Sequence, residues 1–433
     1  MNILITNATV VTVDSNMTVV KEGYIGIQDG YIAFVTDKSD FALNLFKPDK
    51  IIDATNKIVM PGLNNMHTHI PMTILRNYSD DVDLNEWLFN RIIPVENKFE
   101  PEDIYWGTYM GLVELIKSGV TAFADMYIQT DAMVGPIQQS KIRANFSGKP
   151  KKRVGADFTV DTEELIEHVN RFNLDKDSLI KESLFIHSIY THSEEDIKRI
   201  AQLAKELDAG IHIHISEDYE EEMNIRNKYG KTTIQILNDW GLFDVNVIAA
   251  HCVHITEEDM DIMVEKGINP VHCPSSNLKL VNGFAPVPAM LKKGVNLCIG
   301  TDGPASNNNM NLIEEMHIAS LIHKCVGNDP TLVKAEEIIR MATVNGAQAL
   351  GLKGKTGSIE KGMNADLIII DTDVPNLTPL GNVHSALAYS VQESNVETVI
   401  VNGEIVMENR QILTLDEEKA KYEVKRVAEK LLV

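Results

Sequence analysis

Eight short apolar runs, each followed by a stretch with helical spacing, constrain this chain more than any other feature of its sequence. The runs are KIVMPGLNNMH, GVTAFADMY, IRANFS, SLFIHSIY, GIHIHIS, VNVIAAHC, GINPVHC and VNLCIGTD, spread from Lys57 to Asp302. The intervening segments carry helix start and stop signals. SEEDIKRIAQLAKELDAG opens on Ser193 with Asp196 behind it and closes at Gly210, and TEEDMDIMVEKG repeats the arrangement with Thr256, Asp259 and Gly267. Eight strand-then-helix units predict an α/β protein built on a TIM (β/α)8 barrel, whose active sites lie at the carboxyl ends of the strands.

The two ends of the chain read differently. Residues 1–57 alternate apolar and polar positions, and Asp29-Gly30 sits between GYIGIQ and YIAFV where a two-residue hairpin turn belongs. ETVIVNGEIVMENR carries a second hairpin signal at Asn402-Gly403, so the terminal segments are expected to share one small β domain. The C-terminal LDEEKAKYEVKRVAEKLLV predicts a surface helix. The segment from Asp80 to Glu100 predicts an elaborated loop over the carboxyl face of the barrel.

Charge and composition remove several functions. A formal charge of -22 over 433 residues repels phosphate backbones and anionic membranes, and the only basic stretch is GKPKKR, from Gly148 to Arg153. No apolar stretch approaches the roughly 20 residues that cross a bilayer, and MNILITNATV has no basic segment before its apolar residues. The four cysteines, Cys252, Cys273, Cys298 and Cys325, have no disulfide-framework or CxxC spacing, so a cytoplasmic location with reduced thiols is expected.

The ends of the eight runs carry His67 and His69, then Asp125, His187, His214, His251, His272 and Asp302. A lone histidine is more often a packed residue than a ligand, but histidines at equivalent strand ends converge on one place. His67 and His69 lie two apart, so strand alternation aims them at one point. With His214 and Asp302 they form a set of three nitrogens and one oxygen that suits a single divalent ion, zinc first and iron second. Zinc lowers the pKa of a bound water to about 7. Asp302 would touch the metal and accept a proton; its plainer alternative is a capping role before a Gly-rich turn. Glu217, three residues past His214, can shuttle protons, unless the run Glu217 to Glu222 is only a solvated loop. His251 can stabilise developing charge. His254 and His272 read as structural, and His212 stays ambiguous. The run that would carry the bridging lysine of two-metal barrels offers His187 instead, and the H-x-E…P-C-x-x-C deaminase signature, a Walker loop and a GxGxxG turn are missing.

PGLNNMHTH, HIHISE, AHCVH, VHCPSSNLKL, GTDGPASNNNMNLIEEM and GSIEKGMNADLIIID together resemble the amidohydrolase superfamily along nearly the whole chain, and within it the 5'-methylthioadenosine/S-adenosylhomocysteine deaminase family. The resemblance implies a barrel over 58–364 interrupting a small β-sandwich made from 1–57 and 365–433. It implies one metal on His67, His69, His214 and Asp302, with Glu217 and His251 as acid/base and polarising groups. It sets Glu96, in EWLFNRIIPVE, on the ribose hydroxyls, faces His187 to the nucleoside, and lets Trp87 wall the apolar part of the pocket. The activity implied is hydrolytic deamination of 5'-methylthioadenosine, S-adenosylhomocysteine, adenosine or 5'-deoxyadenosine to an inosine-type product and ammonia. A small-molecule partner and a homo-oligomer are implied as well. Where some relatives carry RAxxxRG, this chain has IRANFSGKP: Gly148 replaces the second arginine, Arg143 stands in the structural position, and Lys149 offers a point charge in place of a fork. Two competing readings are an amidohydrolase of another heterocycle, of guanine, pyrimidine or s-triazine type, and a noncatalytic metal-binding protein.

Overall fold

A computed structural model describes residues 1–39, 42, 46–149 and 162–432. The basic stretch 150–153 and the side chain of Lys149 lie outside the described residues.

The chain first builds a sheet. Strands β1 (Ile3–Val11), β2 (Val19–Gln28) and β3 (Tyr31–Thr36) pair antiparallel in turn, and β4 (Lys50–Asp53) and β5 (Lys57–Pro61) lie parallel to β1. The Asp29-Gly30 turn has φ of 52° and 87°, the left-handed pair that matches hairpin twist. The C-terminal strands complete the same sheet, so the expectation of one shared β domain holds. Their order after the barrel is β14 (Leu367–Asp371), β15 (Val396–Val401), β16 (Glu404–Glu408) and β17 (Gln411–Ile412), with β14 antiparallel to β5. Asn402-Gly403 turns with φ of 50° and 76°. A Cβ on Gly403 would fall 2.7 Å from the Cα of Gly30, so the two turns pack backbone to backbone.

Between these halves run eight parallel strands: β6 (Leu63–Thr68), β7 (Val120–Ile128), β8 (Arg143–Lys149), β9 (Ile180–Ile186), β10 (Ile211–Ile215), β11 (Val247–His251), β12 (Asn269–His272) and β13 (Cys298–Ile299). Every residue of β7, β10 and β11 is buried, as expected of strands covered on both faces. The last strand meets the first through a parallel bridge between Thr68 and Asp302, where Asp302 N–H donates to the His67 carbonyl at 2.9 Å. The barrel is nearly closed, and its closing bond lies among the predicted site residues.

Two local expectations need correction. KIVMPGLNNMH is two strands in two sheets: apolar alternation shows no change of partner, but Pro61 removes a ladder donor, and a Cβ on Gly62 would sit 2.1 Å from the Thr121 side chain. The helix Glu194–Leu207 is capped by Ser193 as predicted, but it ends at Asp208, with φ of 51°, before Gly210. Gly210 serves close packing instead, where a Cβ would meet Ser183 Oγ at 3.0 Å. The helix Glu257–Lys266 carries its capping box and Gly267 terminus as read.

The segment after β6 forms a π-helical stretch, Glu86–Ile92, followed by the turn Ile93–Glu96, and lends side chains to the site cavity. The C-terminal helix Glu417–Leu432 packs on Pro101–Lys117, with Arg426 paired to Glu102. No helix among the described residues is long and apolar enough to cross a membrane.

Candidate active site

His67 closes the carboxyl end of β6 and His69 follows just past it, their rings edge to face at 4.8 Å. β10 sets the His214 ring 4.9 Å from His67, and β11 brings His251 to 5.4 Å from each. Asp302, beyond β13, puts Oδ1 3.3 Å from His67 Nε2 and 3.2 Å from His69 Nε2. Two triads share His67: His67, His214 and His251, and His67, His69 and Asp302, each with donor atoms within 4.8 Å of one another.

The outer nitrogens of these rings are committed. His69 Nδ1 lies 2.5 Å from the Met126 carbonyl and His214 Nδ1 2.8 Å from the His187 carbonyl. A carbonyl only accepts, so both rings carry a proton on Nδ1, which leaves Nε2 as the inward nitrogen that can offer its lone pair to a cation. His67 Nδ1 lies 2.9 Å from Nε2 of His212, and His212 is bonded in turn to the main chain of Asp125. Donation there leaves His212 Nε2 as the acceptor, which fixes His67 in the same tautomer. His251 Nδ1 meets Asn277 Oδ1 at 2.9 Å.

Asp302 accepts at Oδ2 from Ser276 Oγ (2.6 Å) and Ser306 Oγ (3.0 Å), and at Oδ1 from Gly303 N–H (2.7 Å). Its capping role and its place beside the histidines therefore coexist. Burial pushes its carboxyl up, but His67 and His69 together carry it well below the usual carboxylate range. Glu217 accepts from Asn282 Nδ2 at 2.9 Å, and its Oε2 lies 3.7 Å from His251 Nε2. Burial raises its pKa, with the His251 charge opposing.

One cavity joins these groups to Glu96, His187 and Trp87, and Leu84, Leu88, Phe89 and Ile93 form apolar wall around Trp87. Glu96 is buried and takes the Tyr127 hydroxyl on Oε1 at 2.5 Å. Burial raises its pKa against that bond. Burial and the neighbouring His69 push His187 down to about 3, so it faces the cavity as a neutral ring.

The structure thus gathers all nine predicted site residues around one cavity or the cluster beneath it. Four strand-end or neighbouring residues stand elsewhere. His272 pairs with His323 (Nε2 to Nε2, 3.0 Å), and His254 bonds the Asn282 carbonyl at 2.7 Å. His212 backs His67, and Asp125 accepts from Thr68 Oγ1 and Ile70 N–H, each at 2.7 Å, holding the turn that carries His69. A Cβ on Gly148 would lie 1.9 Å from the Tyr127 carbonyl, which leaves no room for a side chain there. Arg143, at the opposite end of β8, is bound to Asp366. Sequence reasoning missed Tyr127, Ser276, Asn277, Asn282 and Ser306. The signal for three of them is the cluster of polar residues in VHCPSSNLKLVN.

The model of the amidohydrolase family matches residues 58–406. The chain belongs to the amidohydrolase family. A 5-methylthioadenosine/S-adenosylhomocysteine deaminase of Acetivibrio thermocellus is 49% identical to this amidohydrolase over 433 residues, covering 100% of each chain. A 5'-deoxyadenosine deaminase of Methanosarcina mazei is 40% identical, covering 100% of this chain and 98% of its own. An adenosine deaminase from Xanthomonas campestris, solved with bound zinc, superposes with a TM-score of 0.94 at 31% identity, over 99% of this chain and 98% of that one.

Amidohydrolases depend on a metal, and the side chains of this one fit a cation. His67 Nε2 is wholly buried and has no hydrogen-bond partner. A buried nitrogen lone pair with nothing to accept is costly, and an ion among inward-facing Nε2 atoms and a carboxylate satisfies it.

Proposed function

We propose that this amidohydrolase removes the 6-amino group of an adenosine-type nucleoside by hydrolysis, giving an inosine-type product and ammonia. The candidate substrates are 5'-methylthioadenosine, S-adenosylhomocysteine, 5'-deoxyadenosine and adenosine. The observation that carries this reading is the shared cavity: Glu96, held by Tyr127, opens into the same space as the histidine cluster and Glu217. A bare heterocycle has no use for a ribose-binding carboxylate. The full-length relatives named as nucleoside deaminases support it.

His67, His69, His214 and Asp302 would hold one divalent ion, zinc by the donor set and by the zinc in the Xanthomonas relative. Such an ion supplies a Lewis acid that brings the pKa of water at the site to about 7. Asp302 takes the proton from the water that adds to carbon 6. Glu217, whose carboxyl burial biases toward the protonated form, passes a proton to the ring nitrogen and regains one from the hydroxyl on carbon 6 as the carbonyl forms, while the proton taken by Asp302 goes to the amino group that leaves as ammonia. His251 stabilises the charge that develops as water adds. His187 meets the nucleoside and Trp87 packs on its apolar part. A homo-oligomer and a cytoplasmic location, consistent with four free cysteines, belong to the same proposal.

The test is ammonia release from a panel of nucleosides and free bases by the metal-loaded protein. Ammonia from a 5'-modified adenosine is expected, and release from free bases alone would overturn the reading. Glu217→Gln should lose at least about 1,000-fold in kcat while retaining its metal, since it can no longer carry a proton. An active E217Q would remove Glu217 from the reaction.

A further inference from the structure

The acidic run after β10 is built as a mount. Asp218 caps the helix Tyr219–Tyr229 by accepting from the N–H groups of Glu220 and Glu221. Glu220 then faces solvent, whereas Glu221 and Glu222 are 7% and 2% exposed. Glu222 accepts the Ser216 hydroxyl at 2.9 Å and Arg226 Nε at 2.7 Å. The Ser216 carbonyl accepts from Val253 N–H (3.0 Å) and His254 N–H (3.1 Å). Ser216 is thereby pinned in a left-handed conformation, φ 48°, which a residue without glycine's freedom adopts only under such constraint. The next residue is Glu217, and its N–H donates to Glu221 Oε2 at 3.0 Å.

Glu221 has no comparable structural return. Its Oε1 is buried without a hydrogen-bond partner, so an apolar side chain of the same size would suit the fold better. Groups that cost stability persist where function needs their placement. We propose that Glu221 is a positioning residue for Glu217: its carboxyl accepts the Glu217 main-chain N–H and, with Glu222 gripping Ser216, seats the Glu217 carboxyl between Asn282 and His251. This inference rests on the proton-carrying role of Glu217 given above.

The experiment compares Glu221→Gln, which keeps an acceptor oxygen, with Glu221→Met, which keeps the volume and loses the acceptor. Both are assayed as metal-loaded protein for kcat, KM, bound metal and melting temperature on the nucleoside turned over by the wild type. E221Q is expected within about 3-fold of wild-type kcat. E221M is expected to lose about 100-fold in kcat, the scale of a misplaced catalytic group, with KM and bound metal within about twofold. E221M with a lowered melting temperature but wild-type kcat would assign Glu221 to the fold alone and overturn the proposal. An E221Q that falls as far as E221M would overturn it too, and E221Q decides by itself should E221M not fold. A crystal structure of E221M separates this inference from the substrate assignment. The Glu217 carboxyl is expected to leave Asn282, and one still seated there refutes the positioning role whatever the substrate proves to be.

Discussion

Tyr127 shows how much one side chain can decide here. Its hydroxyl occupies Oε1 of Glu96, a residue that lines the cavity, so if Glu96 holds the ribose as proposed, Tyr127 restrains the direction from which a ribose hydroxyl approaches. A hydrogen bond to a buried carboxylate contributes about 1.5–3 kcal/mol, most of which falls on ligand binding when the carboxylate is the binding group. Tyr127→Phe is therefore expected to raise KM for the nucleoside about tenfold with little change in kcat, as measured by steady-state ammonia release. Any slow turnover of free adenine should be unaffected. A Y127F enzyme that lost kcat on nucleoside and free base alike would place Tyr127 in the chemistry instead of the grip on ribose.

At the scale of elements, the barrel was legible because its strands are continuous apolar runs ending in residues that packing alone does not require. Both hairpins were legible as well, since Asp-Gly and Asn-Gly supply the left-handed pair that a tight turn needs. The hidden part has two physical causes. Alternation records burial and not pairing, so the passage from β5 to β6 through Pro61 and Gly62 read as one strand. Left-handed φ at Ser216 (48°), His251 (71°) and Asp302 (61°) is imposed by tertiary bonds on residues with no local preference for it, and no sequence pattern marks it. For the same reason the acidic run had a credible reading as a solvated loop, and Glu96 was legible only through the family resemblance. The helix after β10 allows a separate check by pH. Burial, partly offset by the Glu217 N–H and reinforced by the Glu217 charge, pushes Glu221 from 4.5 up to about 8. The folded protein thus keeps a proton that the unfolded chain releases. The associated stability is complete below about pH 4.5 and is lost as pH rises through 8. Gln does not titrate, so the melting temperature of E221Q minus that of wild type should widen between those limits and level off above them. A difference independent of pH would show that Glu221 ionises as freely in the fold as outside it.

Over the whole molecule, the cluster depends on two sheets keeping their alignment, because β5 of the terminal sheet leads directly into β6, which carries His67. One buried tie far from the cavity spans the two sheets. Arg143, at the start of β8, places Nε 2.5 Å from Oδ2 of Asp366 and an Nη 3.2 Å from Oδ1, while Asp366 Oδ1 also accepts the Asn402 N–H at 2.7 Å. Asp366 immediately precedes β14, and Asn402 belongs to the turn packed on Gly30, so one carboxylate joins the barrel floor to both halves of the terminal sheet. Removing one partner of a buried pair strands the other charge and costs about 3–5 kcal/mol, whereas neutralising both removes most of that penalty. Arg143→Met should lower the melting temperature by several degrees. The double variant R143M/D366N should recover most of the loss, since the amide is uncharged and still accepts from Asn402. Metal content measured on both variants reports on the site: if the tie holds β5 and β6 in register, R143M binds its ion less tightly than wild type and the double variant regains the affinity. A double variant less stable than R143M would mean that the Asp366 charge is satisfied by groups other than Arg143, and the tie between the two sheets would have to be sought elsewhere.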